Sequence, residues 1–373
     1  MTDNVSRLIR PDVANLAPYA PILPFEVLSK QLNLPIEEIT KLDANENPYG
    51  ASPRVGEALA NLPFAHVYPD PESRELRASL AEYTGLPMEY VLAGAGADEL
   101  IDLIMRLFIA AGDGVINCPP TFGMYAFDAD INGASLVTVP RRSDFGLDVE
   151  GIQRACDDNG QVKLLFVASP NNPDGRILSA HTLDRLLALP LVVVLDEAYI
   201  EFAGLESSYI HLVPRVDNLV VLRTFSKWAG LAGLRLGYGA FPLPIMTHLW
   251  KIKQPYNVSV AAQAAGLASL ADVSYLSANV NRIRQERGRL FEGLGDISYL
   301  SPYPSYANFI LCRVAGRSAS VLKKGLAQQG ILARHYDSPG LSDYIRFSVG
   351  LPEHTDRLLS ALRQLESANE TAS

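Results

Sequence analysis

Two ionisable residues follow closely on apolar, β-branched segments of the chain. Asp196 comes directly after residues 191–195 (LVVVL), and Lys227 lies just beyond residues 219–222 (LVVL) and before a glycine-rich stretch. A carboxylate in apolar surroundings needs a partner, and a protonated ring nitrogen of an electron-accepting cofactor is one such partner. A desolvated lysine is more readily the neutral amine that forms a Schiff base. A helix cap for Asp196 and a solvated surface position for Lys227 are the alternatives.

A glycine-containing segment, residues 94–98 (GAGAD), precedes a clearly amphipathic stretch. The free backbone N–H groups and the positive end of a helix that begins here would suit a phosphate. Arg235, eight residues after Lys227, is a second cation that could hold an anion. Glu99 occupies the position of the third glycine of a dinucleotide-binding fingerprint, which makes that interpretation weak. A glycine-assisted helix start without a ligand is the alternative.

Residues 169–175 (SPNNPDG) have the composition of a turn and follow another apolar segment. At the end of a strand, the Asn172 side chain could donate to a ring oxygen, and Tyr199, three residues after Asp196, could reach the same ring. The sequence contains no HExxH, GxSxG or GxxxxGK[ST] motif. Metalloprotease, α/β-hydrolase and P-loop functions therefore lack their signatures.

Short and long apolar segments alternate through the middle of the chain. Residues 163–168, 191–195 and 219–222 predict buried strands, whereas residues 100–108 keep the i, i+3, i+4, i+7 spacing of a helix face. This alternation predicts an α/β fold with a large domain, in which helices flank a mostly parallel sheet, and a smaller α+β domain. Ligands of such sheets bind at the carboxyl ends of the strands, where the polar clusters stand.

The order of predicted helices and strands changes after about residue 258. Helical patterns at 261–270, 281–294 and 319–329 and strand patterns at 308–314 and 344–349 predict the smaller domain. The first thirty residues contain several prolines and are expected to form an arm rather than a packed element. We therefore divide the chain into an N-terminal arm (1–32), a large domain (33–258) and a small C-terminal domain (259–373).

The composition limits the function classes. The chain has 373 residues and a net charge of −9, without a run rich in lysine and arginine, so we expect no nucleic-acid partner. We see no signal-peptide pattern and no apolar stretch of membrane-spanning length, which predicts a cytoplasmic protein that does not bind membranes. The three cysteines are widely spaced, so we expect reduced core thiols and no metal site.

Five segments together carry a resemblance that covers almost the whole chain: LDANENPYG, GAGADEL, SPNNPDG, VLDEAYIEF and RTFSKWAGLAGLRLGYG. In this order they resemble the class II pyridoxal-phosphate-dependent aminotransferases of fold type I. The resemblance implies pyridoxal 5′-phosphate as the cofactor. It also implies a homodimer in which each active site contains residues of both subunits.

The resemblance assigns a role to each matching position. Lys227 would carry the cofactor as a Schiff base and shuttle the proton, and Asp196 would pair with the ring nitrogen. Asn172 and Tyr199 would contact the ring oxygen. The cofactor phosphate would be bound by Ser226, Arg235 and the backbone of Ala97 and Asp98, with Tyr68 contributed by the other subunit.

The resemblance also implies a substrate site, and the sequence departs from the family pattern at two positions. The site for the acidic group of the substrate would contain Arg346, Arg334, Asn172 and Tyr19, the last from the partner's arm. Phe122 stands where many relatives have a tyrosine stacked on the cofactor, which keeps the stacking and removes a hydroxyl. Asp174 replaces the usual threonine of the NNPTG turn.

The motifs are similar to those of family members that act on histidinol phosphate. This implies transamination of histidinol phosphate with 2-oxoglutarate to imidazole-acetol phosphate and glutamate, in histidine biosynthesis. Aromatic aminotransferases and threonine-phosphate decarboxylases share the motifs and remain alternatives. Outside this class, a non-enzymatic cofactor-binding regulator is an alternative, but the sequence shows no additional DNA-binding domain that would support it. A hydrolase dyad of Ser226 and Lys227 would leave Asp196 and Arg235 unexplained.

Overall fold

The computed structural model describes residues 3–18 and 22–370. Its strands form two sheets and are, in chain order, β1 Thr40–Leu42, β2 Val91–Gly94, β3 Gly114–Asn117, β4 Ser135–Thr138, β5 Val162–Ala168, β6 Val192–Asp196, β7 Leu219–Thr224, β8 Gly237–Ala240, β9 Leu300–Pro302, β10 Phe309–Val314, β11 Ile331–His335 and β12 Tyr344–Ser348.

The larger sheet has seven strands in the order β2-β8-β7-β6-β5-β3-β4. The strands from β7 to β4 run parallel, whereas β8 is antiparallel to both of its neighbours. The carboxyl ends of β5, β6 and β7 therefore lie at one edge, since Ala168 is in register with Asp196 and Asp196 with Leu222.

Helices cover both faces of this sheet. The α-helices, in chain order, are α1 Asp3–Ser6, α2 Pro11–Ala14, α3 Phe25–Leu32, α4 Pro53–Ala60, α5 Arg74–Thr84, α6 Gly96–Phe108, α7 Met124–Ile131, α8 Val149–Asp158, α9 Ala180–Leu187, α10 Ile200–Ala203, α11 Leu243–Ile252, α12 Val260–Leu270, α13 Val273–Gly295, α14 Ala319–Gln328 and α15 Pro352–Glu370.

Alternate residues of each central strand point to opposite faces, which produces two hydrophobic cores. Val194 and Val220 pack in the core with α6, α7 and α11, whereas Val193 and Val221 pack in the core with α5, α8, α9 and α12. Because both faces are buried, these strands are continuously apolar in sequence. The predicted α/β fold with helices on both sides of a mostly parallel sheet is confirmed.

The smaller sheet has the order β1-β11-β12-β10-β9, and only the β1–β11 pair is parallel. Helices α13, α14 and α15 pack against one another or against this sheet. Two segments differ from the predicted division of the chain. Strand β1 belongs to the smaller sheet although it lies within residues 33–258, and α12 packs on α4 and α5 of the large domain. The boundaries at 32/33 and 258/259 therefore stay predictions.

The segment expected to be an arm contains one packed helix. In α3, Leu28 is buried against Ile39 and Leu332, because Leu28 and Leu32 form an apolar stripe after Pro24. Residues 5–10 and 13–15 are exposed, as an arm would be. No described helix combines the length and apolarity needed to cross a membrane. The three cysteines are buried and unpaired.

Candidate active site

The site lies at the edge formed by the carboxyl ends of β5, β6 and β7. A buried ion pair fixes two of these ends relative to each other, since Glu197 accepts a hydrogen bond from Arg223 Nε at 3.0 Å. Glu197 also accepts from Ser208 Oγ and from the backbone N–H of Tyr209. With its oxygens satisfied, the pair costs less to bury and holds β6 and β7 in register. Asp196 and Lys227 extend from these two strand ends.

Asp196 is the carboxylate at the centre of the edge, and it is 5% exposed. Its Oδ2 accepts a hydrogen bond from Tyr125 Oη at 2.5 Å, and its Oδ1 accepts from the backbone N–H of Ala198 at 3.0 Å. It forms no ion pair among the described residues. Burial raises the pKa of Asp196 to about 6, and the two donors act against that rise.

Lys227 projects into the same site from the loop after β7. Its Nζ donates to the Ala44 carbonyl oxygen at 3.2 Å and lies 5.9 Å from the centre of the Tyr199 ring. Burial, and next the charge of Arg346, lowers the pKa of Lys227 from 10.5 to about 8. A substantial fraction of this lysine is therefore a neutral, nucleophilic amine near physiological pH.

Two adjoining cavities meet at Lys227. The smaller has a volume of about 150 Å³, the larger about 910 Å³, and both are lined by Phe122, Asn172, Tyr199 and Lys227. The smaller cavity brings together the following positions predicted to bind the cofactor: Ala97, Asp98, Phe122, Asn172, Asp196, Tyr199, Ser226, Lys227 and Arg235.

The start of α6 forms one wall of the smaller cavity. Gly96 has φ +82°, a backbone conformation that strains any residue with a side chain, so glycine is favoured at this position, where a Cβ would also lie 2.7 Å from Arg235 Nη2. The first N–H groups of a helix lack intrahelical partners and attract anions. Arg235 Nη2 also contacts Asp98 at 2.7 Å. Glu99 caps the helix start by accepting from the Ala95 N–H, which gives this residue a structural role.

Arg346 lines the larger cavity and is 4% exposed. Its Nη1 donates to Asn172 Oδ1 at 2.5 Å and its Nη2 to the Asp43 carbonyl oxygen at 2.7 Å. The buried Nε has no hydrogen-bond partner among the described residues. Arg334 lines the same cavity and lies directly opposite Arg346 in the β11–β12 register. Two like charges at facing positions favour an anion between or beside them.

Two predicted positions are not brought to these cavities by the described chain. The Tyr68 side chain is 79% exposed and stacks on Tyr256, with ring centres 4.7 Å apart. Tyr19 lies outside the described residues. Both were predicted to act across a subunit boundary, so their roles stay predictions.

The structure shows what surrounds the two residues that depart from the family pattern, Phe122 and Asp174. Phe122 packs edge-on against Tyr125 and lines both cavities with an apolar ring. Asp174 is buried and accepts hydrogen bonds from the Asn171 side chain and the Arg176 N–H, so it stabilises the turn that positions Asn172. Burial raises the pKa of Asp174, while the nearby Arg141 opposes the rise.

The sequence interpretation missed three residues of the site. Asn45 donates to Tyr199 Oη at 3.2 Å, Tyr125 binds Asp196, and Thr224 lines the smaller cavity. Asn45 lies in the LDANENPYG motif and Thr224 in the RTFSK motif, so both stood in segments already recognised. Tyr125 had no comparable signal, because an aromatic residue in a helix after a turn is most often a core residue.

Comparison with known proteins assigns the chain to a family. The model of the aminotransferase class I and II family matches residues 37–362. The chain belongs to this aminotransferase family. The resemblance inferred from the five motifs is thereby confirmed.

Several relatives of this aminotransferase carry a more specific name. The chloroplastic histidinol-phosphate aminotransferase of Nicotiana plumbaginifolia is 56% identical over 356 residues, which cover 95% of this chain and 86% of the relative. The histidinol-phosphate aminotransferase of Roseiflexus castenholzii is 52% identical over 98% of this chain and 100% of its own.

The solved structures show the same architecture. The histidinol-phosphate aminotransferase of Sinorhizobium meliloti, crystallised in complex with pyridoxal 5′-phosphate, has a TM-score of 0.86 and 30% sequence identity. The match covers 96% of this aminotransferase and 98% of the Sinorhizobium chain. The predicted fold-type I architecture therefore has a close counterpart among cofactor-bound enzymes.

Proposed function

We propose that this aminotransferase uses pyridoxal 5′-phosphate to transfer the amino group of histidinol phosphate to 2-oxoglutarate, as a step of histidine biosynthesis. The products are imidazole-acetol phosphate and glutamate. The observation that supports this most strongly is the position of Lys227, between a cavity with a buried carboxylate and a cavity with two facing arginines.

The smaller cavity has the donors and the charge that pyridoxal phosphate requires. Arg235, Ser226 and the N-terminal backbone of α6 would hold the phosphate, and Asp196 would pair with the ring nitrogen. Phe122 would stack on the ring, with Asn172 and Tyr199 near the ring oxygen. When bound, the cofactor supplies a carbonyl group that accepts the amine and a ring that stabilises negative charge.

The chain's own residues supply the proton transfers. Lys227 Nζ, with a pKa of about 8, can gain or lose a proton near neutral pH, which suits both an amine nucleophile and a general acid–base group. Tyr199 is buried and held by Asn45, and burial raises its pKa, so its hydroxyl stays protonated at neutral pH. The Arg346–Asn172 hydrogen bond links the substrate side of the site to the cofactor side.

The larger cavity supports a substrate with a phosphate group. Arg334 and Arg346 together offer several N–H donors, and neither forms an ion pair with an acidic side chain in the described part of the chain. A dianionic phosphate can engage both guanidinium groups, whereas one carboxylate leaves one of them poorly paired. Tyr19 of a partner subunit would complete this end of the site.

A homodimer with shared active sites is part of this proposal. Phe64, Val67 and Tyr68 are more than half exposed and form an apolar surface near Tyr256, which supports burial against a second subunit. We also propose a cytoplasmic location, although curated relatives include chloroplastic enzymes.

Steady-state assays with the purified chain and pyridoxal phosphate test the proposal. With 2-oxoglutarate as acceptor, we expect kcat/KM to be at least about tenfold higher for histidinol phosphate than for phenylalanine. Faster turnover of phenylalanine would favour an aromatic aminotransferase. Release of carbon dioxide from threonine phosphate would favour the decarboxylase alternative.

A further inference from the structure

Tyr125 lies immediately behind the carboxylate that faces the smaller cavity. Its hydroxyl donates to Asp196 Oδ2 at 2.5 Å, and its side chain is 0% exposed. The two residues are 71 positions apart, so the contact depends on the packing of α7 against the sheet. The Tyr125 hydroxyl has no other recorded hydrogen bond among the described residues.

Two aromatic rings fix the direction of this hydroxyl. Tyr125 stacks on Phe166 of β5, with ring centres 5.1 Å apart and planes 22° apart. It also meets Phe122, the ring at the cavity wall, edge-on at 5.5 Å. Rotation of Tyr125 would disrupt both contacts, so the hydroxyl remains directed at Asp196.

We infer that Tyr125 is a positioning residue that keeps the Asp196 carboxylate ionised and directed toward the ring nitrogen of the bound cofactor. The inference rests on the proposed function for its chemical meaning. Tyr125 does not line either cavity and therefore acts through Asp196 rather than on the substrate.

Asp196 depends on this donor because its surroundings otherwise favour the protonated acid. Burial is the largest cause of its raised pKa, and the carboxylates of Asp98 and Glu197 act in the same direction. Among the described residues, only Tyr125 and the Ala198 N–H donate to it. Lys227 and Arg235 are the cations that line the same cavity. Burial holds the pKa of Tyr125 well above 10, so the phenol keeps the proton that it donates.

Removal of the hydroxyl alone separates this role from packing. Tyr125→Phe preserves the ring that contacts Phe122 and Phe166 and deletes only the donor. Loss of a hydrogen bond to a charged group is expected to raise the Asp196 pKa by about one unit or more. At neutral pH, a larger fraction of Asp196 would then be protonated and unable to stabilise a positive ring nitrogen.

The first test uses the full-length apoprotein with carbon-13-labelled aspartate side chains. Asp196→Asn identifies the Asp196 carboxyl resonance, and its titration midpoint is measured in wild type and in Tyr125→Phe. Tyr299→Phe is the control, since it removes another buried tyrosine hydroxyl, which donates to the Leu362 carbonyl oxygen. A rise of about one pH unit or more in Tyr125→Phe alone supports the inference. A smaller rise, or a fall, overturns it.

The second test uses the holoenzyme with nitrogen-15 in the cofactor ring. In Tyr125→Phe we expect the ring-nitrogen resonance to move toward that of the unprotonated ring and kcat to fall at least about tenfold with little change in KM. In Asp196→Asn the same tyrosine change should add almost nothing, because the two residues act as a unit. Additive losses would contradict the inference. Absence of transamination by the wild type would refute the proposed function but leave the apoprotein titration informative.

Discussion

Arg334 and Arg346 lie directly opposite each other on the antiparallel strands β11 and β12. Like charges at facing positions destabilise a strand pair unless an anion binds to them. The larger cavity, which both side chains line together with Lys227, provides the space for such an anion.

The first prediction concerns this arginine pair. Arg334→Ala should lower kcat/KM for histidinol phosphate at least about tenfold, equivalent to ~1.4 kcal/mol, because the phosphate loses charge-assisted hydrogen bonds. The value for phenylalanine should hardly change. Arg313→Ala on the neighbouring strand β10, where the side chain is exposed, is the matched control. Equal losses on both substrates would remove Arg334 from the phosphate site.

The second prediction concerns the shared active site. In a dimer whose sites combine Lys227 of one subunit with Tyr68 of the other, a Lys227→Ala chain and a Tyr68→Phe chain should complement each other. Each hybrid dimer would have one intact site, so random exchange at equal concentrations should restore about a quarter of the wild-type sites. Each variant alone gives the baseline rate. If subunit exchange is demonstrated and activity is still not restored, Tyr68 contributes to the active site of its own subunit or to neither site.

The third prediction concerns the cost of the buried Asp196. Because folding raises its pKa from 3.8 to about 6, the folded state binds more protons than the unfolded state between these values. This group therefore lowers the stability of the apoprotein as pH rises from about 4 to 6, by up to ~3 kcal/mol. Asp196→Asn should stabilise the apoprotein at pH 8 and have little effect at pH 4, while it abolishes most activity.

Urea unfolding of the apoprotein at several pH values measures this effect. Asp217→Asn is the control and should leave the midpoint unchanged, because the Asp217 side chain is exposed and forms no hydrogen bond or ion pair with another described residue. If Asp196→Asn were equally neutral, or destabilising at pH 8, the carboxylate would not carry the expected cost. A stabilised but inactive variant is the usual result when a functional group is held in unfavourable surroundings.

Much of the site was predictable because the chemistry of this fold concentrates at strand ends. Asp196 is the last residue of β6, and Asn172 and Lys227 lie a few residues beyond the ends of β5 and β7, so local sequence patterns located them. The fold class followed from the same alternation of apolar strands and amphipathic helices.

The rest depended on contacts between distant parts of the chain. Asn45 reaches Tyr199 across 154 positions, and strand β1 pairs with β11 across almost the whole sequence. Strand β1 has only three residues, so its pattern does not indicate which sheet it joins. Helix α13 begins eight residues before the predicted charged stretch, since Val273 and Leu276 continue the apolar face.

The fourth prediction concerns the protonation of Lys227. Its lowered pKa means that the neutral amine, which captures the cofactor aldehyde, becomes dominant above about pH 8. The rate of pyridoxal-phosphate uptake by the apoprotein, followed by absorbance, should rise about tenfold per pH unit below pH 8 and level off above it. A rate that continues to rise toward pH 10.5 would show a lysine in an ordinary, solvated environment.

The most direct test of the central claim is to trap the cofactor on the chain by borohydride reduction and to locate it by peptide mass spectrometry. We expect one modified position, Lys227, in the holoenzyme. Histidinol phosphate added before the reductant should remove most of this modification, because the substrate amine displaces the lysine. Modification of another lysine, or none, would contradict the assignment of Lys227 as the residue that carries the cofactor.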